Sequence, residues 1–283
     1  TGRLRNLAAC EGKPGFRCHV DSIFNEALLG KLIDECDTVL HLAAAVGVRL
    51  IIEHPVRTIE TNISGTERVL RHAVGKGKKV VITSSSEVYG KSAAIPFRED
   101  GDLVLGATSR SRWSYACSKA IDEFLALAYA KERGLPVVIV RLFNTVGPRQ
   151  IGRYGMVIPR FVRQALSGEP LTVYGSGSQS RCFAHVRDVA EGILLLAGEE
   201  RANGGIFNLG NDREVTINDL AGLVRARINP KVEVQHIPYQ EAYEEGFEDM
   251  NRRVPDLTAA GAQLKKAIVM PSAGCTLRTS YPL

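Results

Sequence analysis

Three short apolar runs, separated by segments with helical patterns, constrain the fold of this chain most strongly. They cover residues 37–45, 80–82 and 135–143, and apolar residues follow one another there instead of alternating with polar ones. Such continuous runs are typical of parallel sheets that are covered on both faces. Strands and helices alternate at these spacings, which predicts right-handed crossovers. The sequence therefore predicts an α/β fold built on a doubly wound parallel sheet.

The remaining elements follow from the same reading of apolar spacing. We predict a further strand at 16–20 and short strands within 168–183 and 207–211, with helices at about 24–34, 60–70, 113–133, 152–165, 186–198 and 216–227. The chain changes character after residue 150, where short strands and a glycine-rich turn replace the long units. We expect residues 1–150 to form one domain, 183–204 to return to it, and 151–283 to form mostly a smaller lobe.

Composition excludes several classes of protein. The chain has 283 residues and a net charge of +5 without any block of Lys or Arg, which does not indicate a nucleic-acid-binding protein. No apolar run is long enough to span a membrane. The six cysteines are scattered and form no Cys-x-x-Cys, so neither a metal site nor a disulfide framework is expected. Free thiols suit a reducing compartment, and we expect a cytoplasmic protein.

Tyr115 and Lys119 are the candidate acid–base pair. They are four residues apart in a predicted helix, so both side chains lie on one face. A nearby ammonium favours the phenolate and lowers the pKa of a tyrosine from its usual value of about 10. The loop after residue 82 adds the hydroxyl of Ser85 and the carboxylate of Glu87. This set can take a proton from a sugar hydroxyl while the carbon that bears the hydroxyl loses hydride. The Tyr-x-x-x-Lys spacing alone, however, is common on helix surfaces.

The motifs around this pair resemble a known family. Thr83 to Gly90 reads Thr-Ser-Ser-Ser-Glu-Val-Tyr-Gly, and residues 141–149 read Arg-Leu-Phe-Asn-Thr-Val-Gly-Pro-Arg. In this order they resemble the extended short-chain dehydrogenase/reductases, which include nucleotide-sugar epimerases, dehydratases and decarboxylases. The resemblance implies a Rossmann-like sheet that binds NAD, a C-terminal lobe that binds a nucleotide sugar, and a homodimer formed through segments 55–75 and 113–133.

The resemblance also implies which residues contact the cofactor. Asp21 stands where the family often has an acid that contacts adenine, although a helix cap is nearly as good an interpretation. The small side chains of Ala43 and Ala44 allow a ligand to approach the backbone, whereas His41 reads as a packed strand residue. The other expected cofactor contacts are Asn62, Thr83, Tyr115 and Lys119.

One part of a dinucleotide-binding sheet is not found in this sequence. Such sheets usually begin with a strand, a glycine-rich turn and the N-terminus of a helix that receives the pyrophosphate. No Gly-x-x-Gly-x-x-Gly precedes residue 37. We expect one strand–helix–strand unit of about 30–40 residues to be absent from it. The acid that would select NAD over NADP would lie in that unit.

The loop around Glu87 bears on the type of reaction. In the family, a 4-keto sugar serves 4-epimerases, which need no further acid–base group, 4,6-dehydratases, which use an Asp–Glu pair, and UDP-glucuronate decarboxylases, which carry Ser-Glu-Val-Tyr-Gly. The pair Ser86-Glu87 lacks the Asp and matches the third group. Segments 112–115, 171–183 and 246–256 also resemble decarboxylases. We expect a UDP-glucuronate decarboxylase type of enzyme; the alternatives are a UDP-sugar 4-epimerase and a non-catalytic nucleotide-sugar-binding protein.

The same resemblance assigns the remaining roles. Glu87 would act as the acid–base group near C5 of the sugar, and Arg181 would serve the carboxylate or proton delivery. Asn144 and Arg253 would contact the diphosphate, since the planar guanidinium suits phosphate and carboxylate alike. The expected substrate-binding residues are Ser86, Asn144, Val173, Tyr174, Arg181 and Arg253.

Overall fold

A computed structural model describes residues 3–47, 53–152, 156–238, 241 and 250–263. The strands are β1 (Thr38–His41), β2 (Lys79–Ser85), β3 (Val137–Leu142), β4 (Thr145–Val146), β5 (Leu171–Tyr174), β6 (Ser180–Cys182), β7 (Ala184–His185), β8 (Gly205–Leu209), β9 (Glu214–Thr216) and β10 (Val234–Ile237). The α-helices are α1 (Glu26–Asp34), α2 (Pro55–Ala73), α3 (Trp113–Arg133), α4 (Val157–Ser167), α5 (Val186–Gly198), α6 (Ile217–Ile228) and α7 (Thr258–Gln263). Short 3-10 helices span Leu4–Leu7, Ser86–Tyr89 and Glu200–Ala202.

The main sheet has four strands in the order β1-β2-β3-β8, and all neighbours are parallel. Val80 lies opposite Val39 on one side and Val137 on the other, which fixes the register of the three strands. The predicted α/β fold with a parallel sheet is confirmed.

Both faces of this sheet are buried, which explains why its strands are apolar without alternation. Successive side chains of a strand point to opposite faces. Val80 and Ile82 therefore pack with α1, α2 and α3, whereas Val81 packs with α5 and α7. The side chains of Val80, Val81 and Ile82 are fully buried. Burial of each such side chain stabilises the fold by about 1.5–3 kcal/mol.

Local sequence signals set the ends of the two helices nearest the site. Pro55 begins α2, where its missing N–H is not needed. Helix α3 ends at Gly134, whose left-handed conformation (φ 65°) lets its N–H bond back to the last turn. These ends fix the lengths of α2 and α3, which pack side by side over the sheet.

The smaller elements have a core of their own. Helices α4 and α6 pack on the parallel pair β5 and β10 and bury Phe161, Leu171, Val173, Ile217 and Leu220. An antiparallel pair, β6 and β9, joins this group. Helix α5 packs on the main sheet, where its apolar face contacts Val138 and Val140. The division of the chain near residue 150 stays a prediction.

One predicted strand was wrong. Residues 16–20 form no strand, and no backbone hydrogen bond from residues 17–20 to another segment occurs in the described structure. These residues are largely exposed, and extended backbone forms a strand only where a neighbouring strand completes the ladder. The predicted strand at 37–45 is also shorter, because it ends at His41.

Two further features bear on the class of protein. Among the described residues, no helix combines the length and apolar character needed to cross a membrane. Five cysteines in the same residues are free thiols. The segments 242–249 and 264–283, the first of which contributed to the resemblance to decarboxylases, lie outside the described residues.

Candidate active site

The candidate catalytic residues meet at the carboxyl end of β2. Strand β2 delivers Ser85 at its last position, and the 3-10 helix that follows turns Glu87 toward the first turn of α3, which carries Tyr115. The Ser85 hydroxyl lies close enough to the Tyr115 phenol to lower its pKa, and it accepts the N–H of Glu87 at 3.3 Å. Ser85, Glu87 and Tyr115, predicted from a loop and a helix, are thus brought together.

Gly90 is needed for the turn that closes this loop. Its φ is 58°, in the region that favours glycine, and a Cβ atom there would lie 2.2 Å from the carbonyl oxygen of Val104. The glycine of Glu-Val-Tyr-Gly therefore lets the chain pass close to residue 104 and sets the position of Glu87.

The pKa of Tyr115 differs from the sequence-based expectation. Burial raises the pKa of this phenol, the charges of Glu87 and Asp122 raise it further, and the hydrogen bond to Ser85 opposes them. A lowered pKa was expected, so the predicted direction was wrong. The ammonium of Lys119 has a partner of its own.

That partner is Asp122, one turn further along α3. Lys119 Nζ donates to Asp122 Oδ2 at 3.1 Å, and both side chains are almost completely buried. Burial raises the pKa of Asp122, and the ammonium of Lys119 opposes the rise. Lys119 thus has a carboxylate close by that keeps its charge balanced.

Glu87 lies between two arginines. Its Oε1 is 2.5 Å from Arg253 Nη1 and its Oε2 is 2.9 Å from Arg112 Nη1, and all three side chains are at most 16% exposed. Burial favours the neutral acid, but Arg253 and Arg112 outweigh it and lower the pKa of Glu87 to about 2. The trio carries one positive charge in excess, so an anion is attracted to this position.

A second buried network holds β2, β3 and α3 together behind the site. Arg141 of β3 donates to the carboxylate of Glu123 on α3, from Nε to Oε1 at 3.0 Å and from Nη2 to Oε2 at 2.7 Å. The same carboxylate accepts a hydrogen bond from Ser84 of β2. Because buried charges are stable only when paired, this network fixes α3 against the sheet.

The residues expected to contact a cofactor surround the carboxyl end of β1. Asn62 of α2 exchanges hydrogen bonds with the backbone of Ala45, at 2.8 and 3.2 Å, and donates to Ser118 of α3. Thr83 donates to the carbonyl of His41 at 3.2 Å. Ala43 is exposed and Ala44 is half-buried. This arrangement fits a flat cofactor, since the small side chains of Ala43 and Ala44 leave the backbone after β1 accessible.

Two other residues near β1 have local roles in the structure. His41 is buried with its ring 3.3 Å from the Thr66 hydroxyl, and burial together with the charge of Lys119 lowers its pKa to about 4. Asp21 is exposed and accepts hydrogen bonds from Ser22 and from the side chain of Asn25, the residue that caps α1. His41 is thus neutral near pH 7, and Asp21 supports a helix cap here.

The expected substrate-binding residues are more dispersed. Asn144 donates to the carbonyl of Cys182 at 3.3 Å, and Arg181 donates to that of Ser180 at 2.7 Å. Ser86 is buried at the start of its 3-10 helix. Val173 is fully buried in the core of the smaller group, so that a side-chain contact with a ligand falls to its neighbour Tyr174, over which Arg160 stacks at 4.0 Å.

Two charged residues of the site were missed as site residues. Arg112 precedes Tyr115 by three residues, and Asp122 follows Lys119 by three. The spacing of three along a helix, which places side chains on one face, is the signal that could have found both. Arg160 had no such signal, because its contact with Tyr174 depends on how α4 packs on β5.

A protein-family model, the NAD dependent epimerase/dehydratase family, matches residues 4–210. The UDP-N-acetyl-alpha-D-glucosaminuronate decarboxylase of Bacillus cytotoxicus is 44% identical over 84% of this chain, which spans 73% of that relative. The UDP-glucuronic acid decarboxylase 1 of Danio rerio is 34% identical over 96% of this chain, which spans 62% of it.

Solved structures extend the likeness to the fold. The UDP-glucuronic acid 4-epimerase of Bacillus cereus, solved with UDP-glucuronic acid and NAD, superposes with a TM-score of 0.81 at 26% identity. The match covers 92% of this chain and 79% of the epimerase. The chain is thus similar in sequence to decarboxylases and in fold to an epimerase.

Proposed function

Because this chain belongs to the NAD-dependent epimerase/dehydratase family, we propose that it removes carbon dioxide from a UDP-hexuronate through a 4-keto intermediate. The observation that carries the proposal is Glu87, a carboxylate that is buried beside Tyr115 and held by Arg112 and Arg253. Simple inversion at C4 needs no such acid. UDP-glucuronate is the first substrate to test, followed by its 2-acetamido analogue, because the two relatives are named for these two substrates.

Tyr115 begins the reaction as a base on the 4-hydroxyl of the sugar. NAD, when bound, supplies the hydride acceptor for C4 and a positive charge near the phenol. Ser85, which lies beside Tyr115, would hold the same sugar oxygen and so align the proton for transfer. Ala43, Ala44, Asn62, Thr83 and Lys119 would hold the cofactor. Asn62 and Thr83 bind the backbone at the carboxyl end of β1, and Ala43 and Ala44 follow that strand.

The carboxylate is lost at the next step. A ketone at C4 makes the C5 carboxylate a β-keto acid, and the electrons of the C5–carboxyl bond pass to the ketone as carbon dioxide leaves. C5 must then receive a proton. Glu87 is the acid near this centre, but its pKa of about 2 leaves it ionised while both arginines bind it.

Substrate binding provides the change that Glu87 requires. The substrate carries a carboxylate and a diphosphate, and both are preferred partners of guanidinium groups. When they bind Arg112, Arg181 and Arg253, Glu87 loses its counter-charges in a buried place, and its pKa rises. Glu87 can then take up a proton and deliver it to C5.

The runner-up function is a UDP-sugar 4-epimerase. It is favoured by the structural likeness to the Bacillus cereus 4-epimerase. A 4,6-dehydratase is less well supported, because Ser86 occupies the position of the acid that the elimination needs and is buried. A non-catalytic binding protein has no use for the contact between Ser85 and Tyr115.

The full-length protein should be incubated with NAD and UDP-glucuronate, and the nucleotide sugar followed by mass spectrometry. We expect loss of carbon dioxide, abolished in Tyr115→Phe and strongly reduced in Glu87→Gln. An unchanged mass with inversion at C4, detected by NMR, would instead establish the epimerase. An unchanged mass and configuration with both UDP-hexuronates would rule out the decarboxylase.

We further propose a homodimer in the cytoplasm. Helices α2 and α3 pack side by side, and each leaves apolar side chains exposed: Val56, Ile59, Ile121 and Phe124. Burial of these residues against a second copy would remove them from water. The free thiols among the described residues support a reducing compartment.

A further inference from the structure

Asn208 of β8 is a fully buried polar residue that the proposed reaction does not use. Its neighbours Phe207 and Leu209 pack in the apolar core on the side of α5. Because successive side chains of a strand point to opposite faces, the amide of Asn208 faces the other way. A buried amide needs partners for its two N–H groups and its oxygen. The partners of Asn208 therefore show which parts of the chain it holds.

The side chain of Asn208 is bonded to three separate segments. Its Oδ1 accepts a hydrogen bond from the Tyr89 hydroxyl at 2.7 Å. Its Nδ2 donates to the carbonyl oxygens of Phe97, at 2.9 Å, and Asp256, at 3.1 Å. These bonds use both amide hydrogens and the carbonyl oxygen. One buried side chain thus sets how the three segments lie relative to one another.

Two of these segments carry the two halves of an ion pair in the candidate site. Tyr89 is the last residue of the 3-10 helix that contains Glu87. Asp256 follows Arg253 by three residues. Glu87 Oε1 and Arg253 Nη1 are 2.5 Å apart. The carboxylate and the guanidinium, which are distant in the sequence, are therefore both anchored within three residues by the same amide.

The third segment reinforces this anchor. The N–H of Phe97 donates to the carbonyl of Val254 at 2.8 Å, and the N–H of Asp256 donates to the carbonyl of Phe97 at 2.9 Å. The ring of Phe97 also stacks on that of Tyr89, with centroids 4.6 Å apart and planes 13° apart. A shift of the chain after the arginine would break several of these contacts together.

We propose that Asn208 is a positioning residue that sets the contact between Glu87 and Arg253, with the Tyr89 hydroxyl as its link to Glu87. Loss of either polar group would then loosen the hold of the arginine on the carboxylate. The inference rests on the role proposed above for Glu87 as the acid near C5, but not on which sugar is the substrate.

The titration of Glu87 reports how closely the arginines hold it. Arg253, Arg112 and Tyr115 face this carboxylate. The guanidinium groups stay protonated, and burial raises the pKa of the phenol, so these neighbours keep their charge in acid. Glu99, which accepts the backbone N–H of the asparagine at 2.8 Å, has a pKa that burial raises. The resonance of Glu87 itself must therefore be followed.

The first test needs no substrate. Full-length protein is labelled with ¹³C at the glutamate side-chain carboxyl carbon, and the resonance of Glu87 is assigned by its loss in Glu87→Gln. It is followed from about pH 7 to about pH 3.5. In the native protein it should barely move, because the pKa of Glu87 is about 2. In Tyr89→Phe, which removes one hydroxyl and keeps the ring, the titration should move up by about one pH unit.

Asn208→Ala removes all three bonds and should move the titration of Glu87 further than Tyr89→Phe does. Two controls remove similar groups elsewhere. Tyr129→Phe removes a half-buried hydroxyl on α3, and Asn229→Ala removes an amide that bonds two backbone groups in the smaller group of elements. A purely structural role would lower melting temperatures alike and leave the Glu87 resonance unmoved in all four variants.

The second test separates two steps of the proposed reaction. With NAD and UDP-glucuronate in deuterium oxide, both Tyr89→Phe and Asn208→Ala should incorporate deuterium at C5 about tenfold more slowly, because Glu87 is displaced. Reduction of NAD in a single turnover at saturating sugar should stay within about twofold of native, because it depends on Tyr115 and Ser85. NADH should therefore accumulate in these variants.

The outcomes distinguish this proposal from the proposed function. If Tyr89→Phe is folded and its Glu87 resonance titrates as in the native protein, the role of Asn208 is wrong, even where Tyr115→Phe is inactive. Tyr89→Phe decides this alone if Asn208→Ala does not fold. If the titration moves as expected but the native protein releases no carbon dioxide from either UDP-hexuronate, the proposed function fails and the positioning of Glu87 stands.

Discussion

Glu87 is the residue whose charge depends most on its neighbours. Two arginines hold it ionised, although burial alone would favour the neutral acid. In the proposed mechanism, these contacts would prevent Glu87 from acting as an acid until the substrate binds. In that mechanism, the carboxylate of Glu87 competes with the anionic groups of the substrate for the same two cations.

The first prediction concerns acid stability. The pKa of Glu87 is lowered from 4.5 to about 2, so it stabilises the folded state above about pH 4.5, and this contribution is lost as the pH falls toward 2. The free energy of unfolding of the native protein, relative to Glu87→Gln, should therefore decrease by about 3 kcal/mol across this window. Urea unfolding at a series of pH values measures it.

Arg112→Met serves as the companion variant in this titration. Loss of one cation should raise the pKa of Glu87 and move its transition to higher pH, because the carboxylate keeps only Arg253. A difference between native protein and Glu87→Gln that does not vary with pH would contradict the account of the trio.

At the scale of elements, the site depends on the loop between β2 and α3. Gly90→Ala should destabilise the protein by about 2 kcal/mol or more, since both the positive φ and the carbonyl of Val104 oppose a side chain. Activity should fall as well, because Glu87 and Ser85 are positioned by this loop. Denaturant unfolding and initial rates measure the two effects.

Gly134→Ala is the matched control for that variant. Gly134 also has a positive φ, but nothing lies within 4 Å of a Cβ atom there. We expect a smaller loss of stability, about 1 kcal/mol, and unchanged activity. Equal effects of the two substitutions on activity would show that the loop at Gly90 does not position the site.

The exposed face of α2 and α3 leads to a prediction about assembly. Phe124 is 65% exposed on α3, and Phe124→Glu should convert a dimer to a monomer by placing a charge in the interface. Leu194→Glu, at a 62% exposed position of α5 on the other face of the sheet, should remain dimeric. Sedimentation velocity distinguishes them, and a native protein that sediments as a monomer would refute the dimer.

The elements that could be predicted from the sequence are those that carry their own signal. Apolar runs that are buried on both faces identified β2 and β3, and the helical spacing at 186–198 gave the bounds of α5. The segment 16–20 shows the opposite case. It has the composition of a strand, but pairing with a neighbour decides whether a strand forms, and a single segment carries no information about its neighbour.

For the molecule as a whole, the sequence predicted which residues meet but not how their charges are shared. Ser85, Glu87 and Tyr115 were found from motif order and do come together. The pairing of Glu87 with Arg253 joins residues 166 positions apart, and no local pattern contains it. The burial of the ion pair between Lys119 and Asp122 likewise appears only in the packed structure.

The most direct test of the central claim is to run the reaction in deuterium oxide. The full-length protein, NAD and UDP-glucuronate are incubated, and the sugar product is examined by mass spectrometry and NMR. We expect a UDP-pentose or its 4-keto form with one deuterium at C5, because the proton that replaces the carboxylate comes from an acid in exchange with solvent. A six-carbon product that is inverted at C4 and carries no deuterium would contradict it and establish an epimerase.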